Sequence, residues 1–98
     1  MLQYIQIIKI HMDKDSRYFH LANFYAAAFL FAKGMELVNI DRTDSKRSQF
    51  VFRDTPEREL LIQSFNFAPE GSPEVMLDAR RVIMAIKALK DKLYQEGI

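Results

Sequence analysis

YFHLANFYAAAFLFAKG, residues Tyr18 to Gly34, is apolar on nearly every side and stops at a glycine. On a 3.6-residue turn, Tyr18, Ala22, Tyr25, Phe29 and Ala32 form one stripe, and Phe24, Ala27, Ala28 and Phe31 form a second on another side. Only His20, Asn23 and Lys33 interrupt the surface. A helix of this kind must be covered on more than one side, by a sheet, by other helices or by a second chain. Burying Phe24, Tyr25, Phe29, Leu30 and Phe31 would contribute about 7 to 15 kcal/mol gross, at roughly 1.5 to 3 kcal/mol per large side chain, comparable with the net stability of a whole domain. The end is marked by Lys33 in the last turn, by Gly34 in the left-handed position beyond it, and by Met35 folding back on Leu30. The unbroken run from Phe24 to Ala32 is far short of the roughly 20 apolar residues of a membrane span, so no membrane association is expected.

The remaining composition describes one domain over residues 1–98, with 49% hydrophobic and 28% charged residues. Fourteen basic residues against 13 acidic leave a net charge of +1, too little for a global electrostatic pull toward nucleic acid or anionic membrane. Cysteine is absent, which excludes disulfides, thiolate metal sites and cysteine nucleophiles and suits a reducing cytoplasm, the expected location.

Upstream, Leu2 to Ile10 alternates as strands do, with Leu2, Tyr4, Ile8 and Ile10 on one face and Ile5 and Ile7 on the other. It reads as a strand and not as a signal peptide, although Met12 is an alternative start that would make residues 1–11 an extension. Left unpaired, so apolar a strand would be an aggregation hazard.

Downstream, Met35 to Arg42 and Gln49 to Asp54 read as two strands joined by the polar loop TDSKRS, an antiparallel hairpin. Thr55 as cap, Pro56 at the first position and Glu57 on the dipole start a short helix ending near Phe67, with Leu60, Leu61, Ser64 and Phe65 on its inner face. Ser72, Pro73 and Glu74 repeat that signature and start a last helix to about Gln95. Val75, Ala79, Val82, Ile86, Leu89 and Leu93 make its core stripe, while Leu77, Met84 and Ala88 fall on the opposite side among charges. The expected fold is α+β, in the order β-α-β-β-α-α: an antiparallel hairpin plus an amino-terminal strand, packed by three helices.

The chemistry-bearing residues form no recognised constellation. His11, Asp13, Asp15 and His20 have ligand chemistry but no metal-site spacing, and solvated loop residues are the expected reading, with His20 at the boundary of the Phe24 and Phe31 stripe. Ser16, Ser45, Ser48, Ser64 and Ser72 show no nucleophile elbow, and three glycines make no phosphate loop. No catalytic residue, cofactor or metal is therefore expected. Lys46 to Arg53, KRSQFVFR, sets aromatics between basic residues, and the leading β-α-β-β-α order is that of an RNA-recognition fold without its last strand. On that alternative, Phe50 and Phe52 would stack bases of a single-stranded nucleic acid while Arg47 and Arg53 meet phosphate. The favoured reading puts Phe50 and Phe52 in the core, since the apolar helices need a sheet face to bury them.

NFYAAAFLFAKGMELVNIDR from Asn23, QFVFRD from Gln49 and AIKALKDKLY from Ala85 together resemble a family of small bacterial and phage proteins known only as a domain of unknown function, over about Tyr18 to Tyr94. Leu21, Ala22 and Asn23 replace the polar cap of that family's helix, and Arg53 stands where an acid is common. The resemblance implies no activity. The expectation is a non-enzymatic module that binds other proteins or itself, most simply as a homodimer, through Phe24, Ala27 and Phe31 of the apolar helix and Ile5 and Ile7 of the first strand. Nucleic-acid binding is the alternative.

Overall fold

The computed structural model of the protein describes residues 16–44 and 46–95. Its elements are β1 (Tyr18–Leu21), α1 (Phe24–Ala32), β2 (Leu37–Asp41), β3 (Gln49–Arg53), α2 (Arg58–Phe67), a 3-10 turn (Pro73–Val75) and α3 (Ala79–Gln95). The order is β-α-β-β-α-α, an α+β fold with a three-stranded antiparallel sheet, as the sequence leads one to expect.

The first strand is not the expected one. Residues 2–10, with Ile5 and Ile7, lie outside the described residues, and the strand that opens the order is Tyr18–Leu21, which helical periodicity assigns to the apolar helix. Four residues are too few to separate a period of 2 from one of 3.6. Pairing decides: Phe19 and Leu21 stand opposite Phe52 and Phe50 of β3, while Tyr18 and His20 stand opposite Arg53 and Val51. The helix begins only at Phe24, because Asn23 takes extended geometry and its Oδ1 accepts the Ala26 amide at 3.0 Å. Asn23 is thus the polar cap of the helix, not a polar break in the middle of one.

In the sheet, β3 lies between β1 and β2 and runs antiparallel to both. The two outer strands are therefore parallel to each other, and α1 is the crossover between them, a split β-α-β unit. Phe50 and Phe52 of β3 point to the helices and are core residues, with Phe52 at 0% exposure. An irregularity between Leu37 and Asn39 turns Val38 outward and keeps Leu37 and Ile40 opposite Phe52 and Phe50.

α1 is covered on several sides by its own chain. Ala26 to Leu30 are buried without a break, as is Ala32, and the covering elements are the sheet, α2 and α3. Alanine at Ala26, Ala27, Ala28 and Ala32, with Ala85 on α3, lets the two helices pack closely. Tyr25 does not belong to a buried stripe; it is exposed, so the gross burial term rests on Phe24, Phe29, Leu30 and Phe31, about 6 to 12 kcal/mol at most. The helix ends as expected: the Gly34 amide donates to the Phe31 carbonyl at 3.0 Å and the Met35 amide to Leu30 at 3.1 Å, with Gly34 at φ +103°. These two bonds are a Schellman ending, and Met35 closes it by packing into the core.

Both later helices start later than their sequence signals. Thr55 to Arg58 form a turn closed by the Arg58 amide on the Thr55 carbonyl at 3.1 Å, and the first α-helical bond follows, from Leu61 to Glu57 at 2.9 Å. Asp54 anchors this start by accepting from the Arg58 Nε and Nη2, each at 3.1 Å. Ser72, Pro73 and Glu74 start only the 3-10 turn; Met76 returns to extended backbone and α3 starts at Ala79. Val75 still packs against the core, joined by Leu77, while on α3 Ala85 and Leu89 are the buried residues.

Candidate functional site

Among the described residues five titratable groups are displaced from their ordinary values, and each displacement has a local structural cause. Hydrogen bonds from Thr43 lower the Asp41 carboxyl, with His20 a smaller contributor. Arg58 lowers Asp54, and Asp54 in turn raises Arg58. Arg80 lowers Asp78, and Glu36 raises Arg53. Asp41 shares a small cavity with Thr43 and a second carboxylate, Asp44, whereas Asp54, Asp78, Arg53 and Arg58 are each engaged in an ion pair. Among the described residues no three His, Cys, Asp or Glu side chains are placed to hold a metal ion. His11, Asp13 and Asp15 lie outside the described residues. His20 is on β1, on the sheet face turned away from the helices, and not on the Phe24 and Phe31 stripe. Its Nδ1 lies 3.5 Å from Asp41 Oδ2. His20 and Asp41 come from the two strands flanking β3, so the pair spans it and helps cover Val51.

The proposed contact residues on α1 lie mostly inside the protein. Ala27 has 0% exposure and offers no surface to a second chain. Phe24 is half-buried, its ring edge-on to Phe50 at 5.9 Å. Phe31 is also half-buried and lines a shallow cavity of about 290 Å³ with Met84 and Ala88 of α3. Sequence spacing puts those two α3 residues opposite the core stripe among charges, as isolated surface hydrophobes; the fold brings them beside Phe31.

The nucleic-acid residues separate. Phe50 and Phe52 are buried under the helices, so neither ring can stack on a base, because the inward face of β3 is the one the apolar helices need. Arg53 is exposed, with Nε 3.0 Å from Glu36 Oε1 and its guanidinium 5.5 Å from the centre of the Tyr18 ring. Arg47 is exposed and its side chain has no partner among the described residues.

An apolar concavity lies between α1, α2, the 3-10 turn and α3. It encloses about 450 Å³ and is lined by Tyr25, Phe29, Phe65, Val75, Met76 and Ile86, with Glu70 the acidic group at its edge. The Phe29 and Phe65 rings, 5.2 Å apart, form its floor, and Lys33 lies over Phe29 at 5.7 Å. Beside it, α2 carries Leu60, Leu61, Ile62, Phe65 and Phe67, and none of the five is buried. Phe67 is 81% exposed and Leu60 67%. The sequence reading treats α2 as an ordinary amphipathic helix; the missed signal is that five large apolar residues in ten exceed the single face one core contact covers.

No helix among the described residues is long and apolar enough to cross a membrane. Neither the curated proteins nor the solved structures contain a match to the chain. A protein-family model does match, over residues 16–95, which takes in every element from β1 to α3. The chain therefore belongs to the domain of unknown function family DUF5659.

Proposed function

We propose that this domain is a non-enzymatic interaction module that self-associates, most simply as a homodimer, using α2 and the adjoining groove. The observation that supports this is α2 itself, a ten-residue helix with five large apolar side chains of which none is buried. Tyr25, Phe65, Phe67 and Met76 around the groove are of the aromatic and methionine types enriched at interfaces. A second copy of the same surface would bury them around a two-fold axis. The setting we propose is the cytoplasm, where a chain without cysteine loses no disulfide. Light scattering on the purified protein tests the reading: the expected mass is twice 11.5 kDa at micromolar concentration. A clean monomer up to about 100 μM, weaker than stable interfaces, would overturn it.

Single-stranded nucleic acid is the second reading, supported by one observation on the other side of the sheet. Tyr18 lies there with the guanidiniums of Arg17 and Arg53 each 5.5 Å from its ring. An aromatic ring flanked by cations suits a stacked base and its phosphate. Binding to an oligonucleotide should then weaken with salt and be lost in Tyr18→Ala; salt-independent or unaltered binding would remove this reading.

A further inference from the structure

A cavity of about 670 Å³, within the size range of small-molecule sites, lies where the end of β2, the approach to β3 and the last turn of α3 meet. Its walls are of two kinds. Phe24, Leu93 and Tyr94 supply apolar and aromatic surface, while Arg42, Arg47 and Ser48 supply hydrogen-bond donors.

The two arginines differ from others in the fold. Arg53, Arg58 and Arg80 each have a carboxylate oxygen within 3.3 Å. Arg42 and Arg47 have no carboxylate partner among the described residues. Arg42 is half-buried; its Nη2 donates to the Leu93 carbonyl at 2.5 Å, and its Nε is sealed from solvent without an acceptor. At Arg47 only the backbone amide is engaged, donating to the Asp44 carbonyl at 3.1 Å. Asp41 and Asp44 lie with Arg47 around a separate cavity of about 220 Å³ and form no ion pair with it. The carbonyls ending α3 bring partial negative charge toward the same region, and Arg42 answers the one on Leu93. Among the described residues Arg42 therefore meets a carbonyl but no carboxylate, and a half-buried guanidinium gains from a full counter-charge.

We propose that this cavity binds a small organic oxyanion: a phosphate or carboxylate group on a flat apolar body. The planar donors of Arg47, with the Ser48 hydroxyl, receive the charged end, since guanidinium geometry matches both oxyanions, and the half-buried Arg42 guanidinium beside them adds positive charge to the same wall. Phe24, Leu93 and Tyr94 receive the body, against aromatic edges and faces.

Phenyl phosphate titrated into the full chain tests this, followed through the backbone amide signals in nuclear magnetic resonance. Benzoate replaces the headgroup; inorganic phosphate and benzyl alcohol present each half of the ligand alone. Saturable shifts at Arg42, Arg47, Ser48 and Tyr94 are expected with phenyl phosphate, with benzoate or with both, thereby identifying the preferred headgroup. Affinity should fall about tenfold or more for either half-probe and in Arg47→Gln, since each charge-assisted bond carries at least that factor. Arg47 is exposed and its side chain has no bond among the described residues, so Arg47→Gln should leave the fold intact. Tyr94→Ala, at another exposed position, should weaken the aromatic probes alone. No saturable shift by about 10 mM, equal binding of inorganic phosphate, or unchanged affinity in Arg47→Gln would overturn the proposal. α2 contributes no residue to this cavity, so a monomeric protein that still binds phenyl phosphate would separate the two proposals.

Discussion

Leu89→Ala should be among the most damaging single changes on α3, whereas Ile83→Ala on the same helix should be almost silent. Leu89 is fully enclosed in the core cluster with Ala27, Ala28, Leu30 and Phe52, and Ile83 is 62% exposed. Truncating a buried leucine removes its transfer energy and leaves a cavity whose cost depends on how far the surroundings relax. Here two of those neighbours are alanines, whose single methyl groups cannot swing into the gap, and the helix backbones already pack closely. The loss should therefore be about 3 to 4 kcal/mol, in the middle of the range for such changes. For a domain of this size that lowers Tm by roughly 12 to 30 °C. At the exposed position the change should stay within about 0.5 kcal/mol, a few degrees. Circular dichroism against temperature and against urea, at one fixed protein concentration, reads both effects; unchanged urea slopes would show that the difference is one of stability. If Ile83→Ala costs as much as Leu89→Ala, α3 does not present the face described above and the assignment of the core is wrong.

Four other outcomes follow from particular contacts. Ala27→Leu should cost about 1 to 3 kcal/mol in thermal unfolding by overpacking the space beneath the sheet and α3, with no gain in assembly. Gly34→Ala should lower stability by about 1 to 2 kcal/mol through backbone strain alone, since no atom lies within 4 Å of the added Cβ while φ is +103°; Gly34→Asn should recover part of that loss in the same melt. Arg58 holds the Asp54 carboxyl below its usual range. Because the depressed value belongs to the folded state, the pair stabilises above the unfolded value near ~4 and its contribution is lost as pH falls through the folded one. Asp54→Asn should accordingly cost about 0.5 kcal/mol near neutrality and flatten the acid limb of a stability-against-pH curve below about pH 5. Phe67→Ser, at a position 81% exposed, should leave the melting curve of the monomer unchanged yet weaken self-association about tenfold or more by light scattering.

Much of the architecture was legible because its determinants are local. The glycine ending of α1 needs only Gly34 and neighbouring carbonyls within one turn, and the β2–β3 hairpin follows from two alternating runs around a polar loop. The core stripe of α3 follows from helical spacing, which places Leu89 inside whatever it packs against. That α1 must be covered on several sides is likewise a statement about one segment and its apolar surface.

The identity of the cover is not a local property. Tyr18–Leu21 is a strand because Phe50 and Phe52 lie across from Leu21 and Phe19, more than 25 residues away along the chain, and that pairing outweighs a helical reading of the same letters. Likewise, nothing within KRSQFVFR says which side of β3 the helices take; once they take the side of Phe50 and Phe52, those rings become core and Arg47 and Arg53 remain at the surface. The candidate sites are decided by the same assembly. Arg42 meets the end of α3 across 51 residues, and Phe65 meets Phe29 across another element boundary. Sequence alone determined the kinds of surface that each element must bury or expose, because periodicity and capping act within a few residues. Only the tertiary structure decided that, among the described residues, α1 is mostly buried while no residue of α2 is, because burial depends on which neighbours the whole fold supplies.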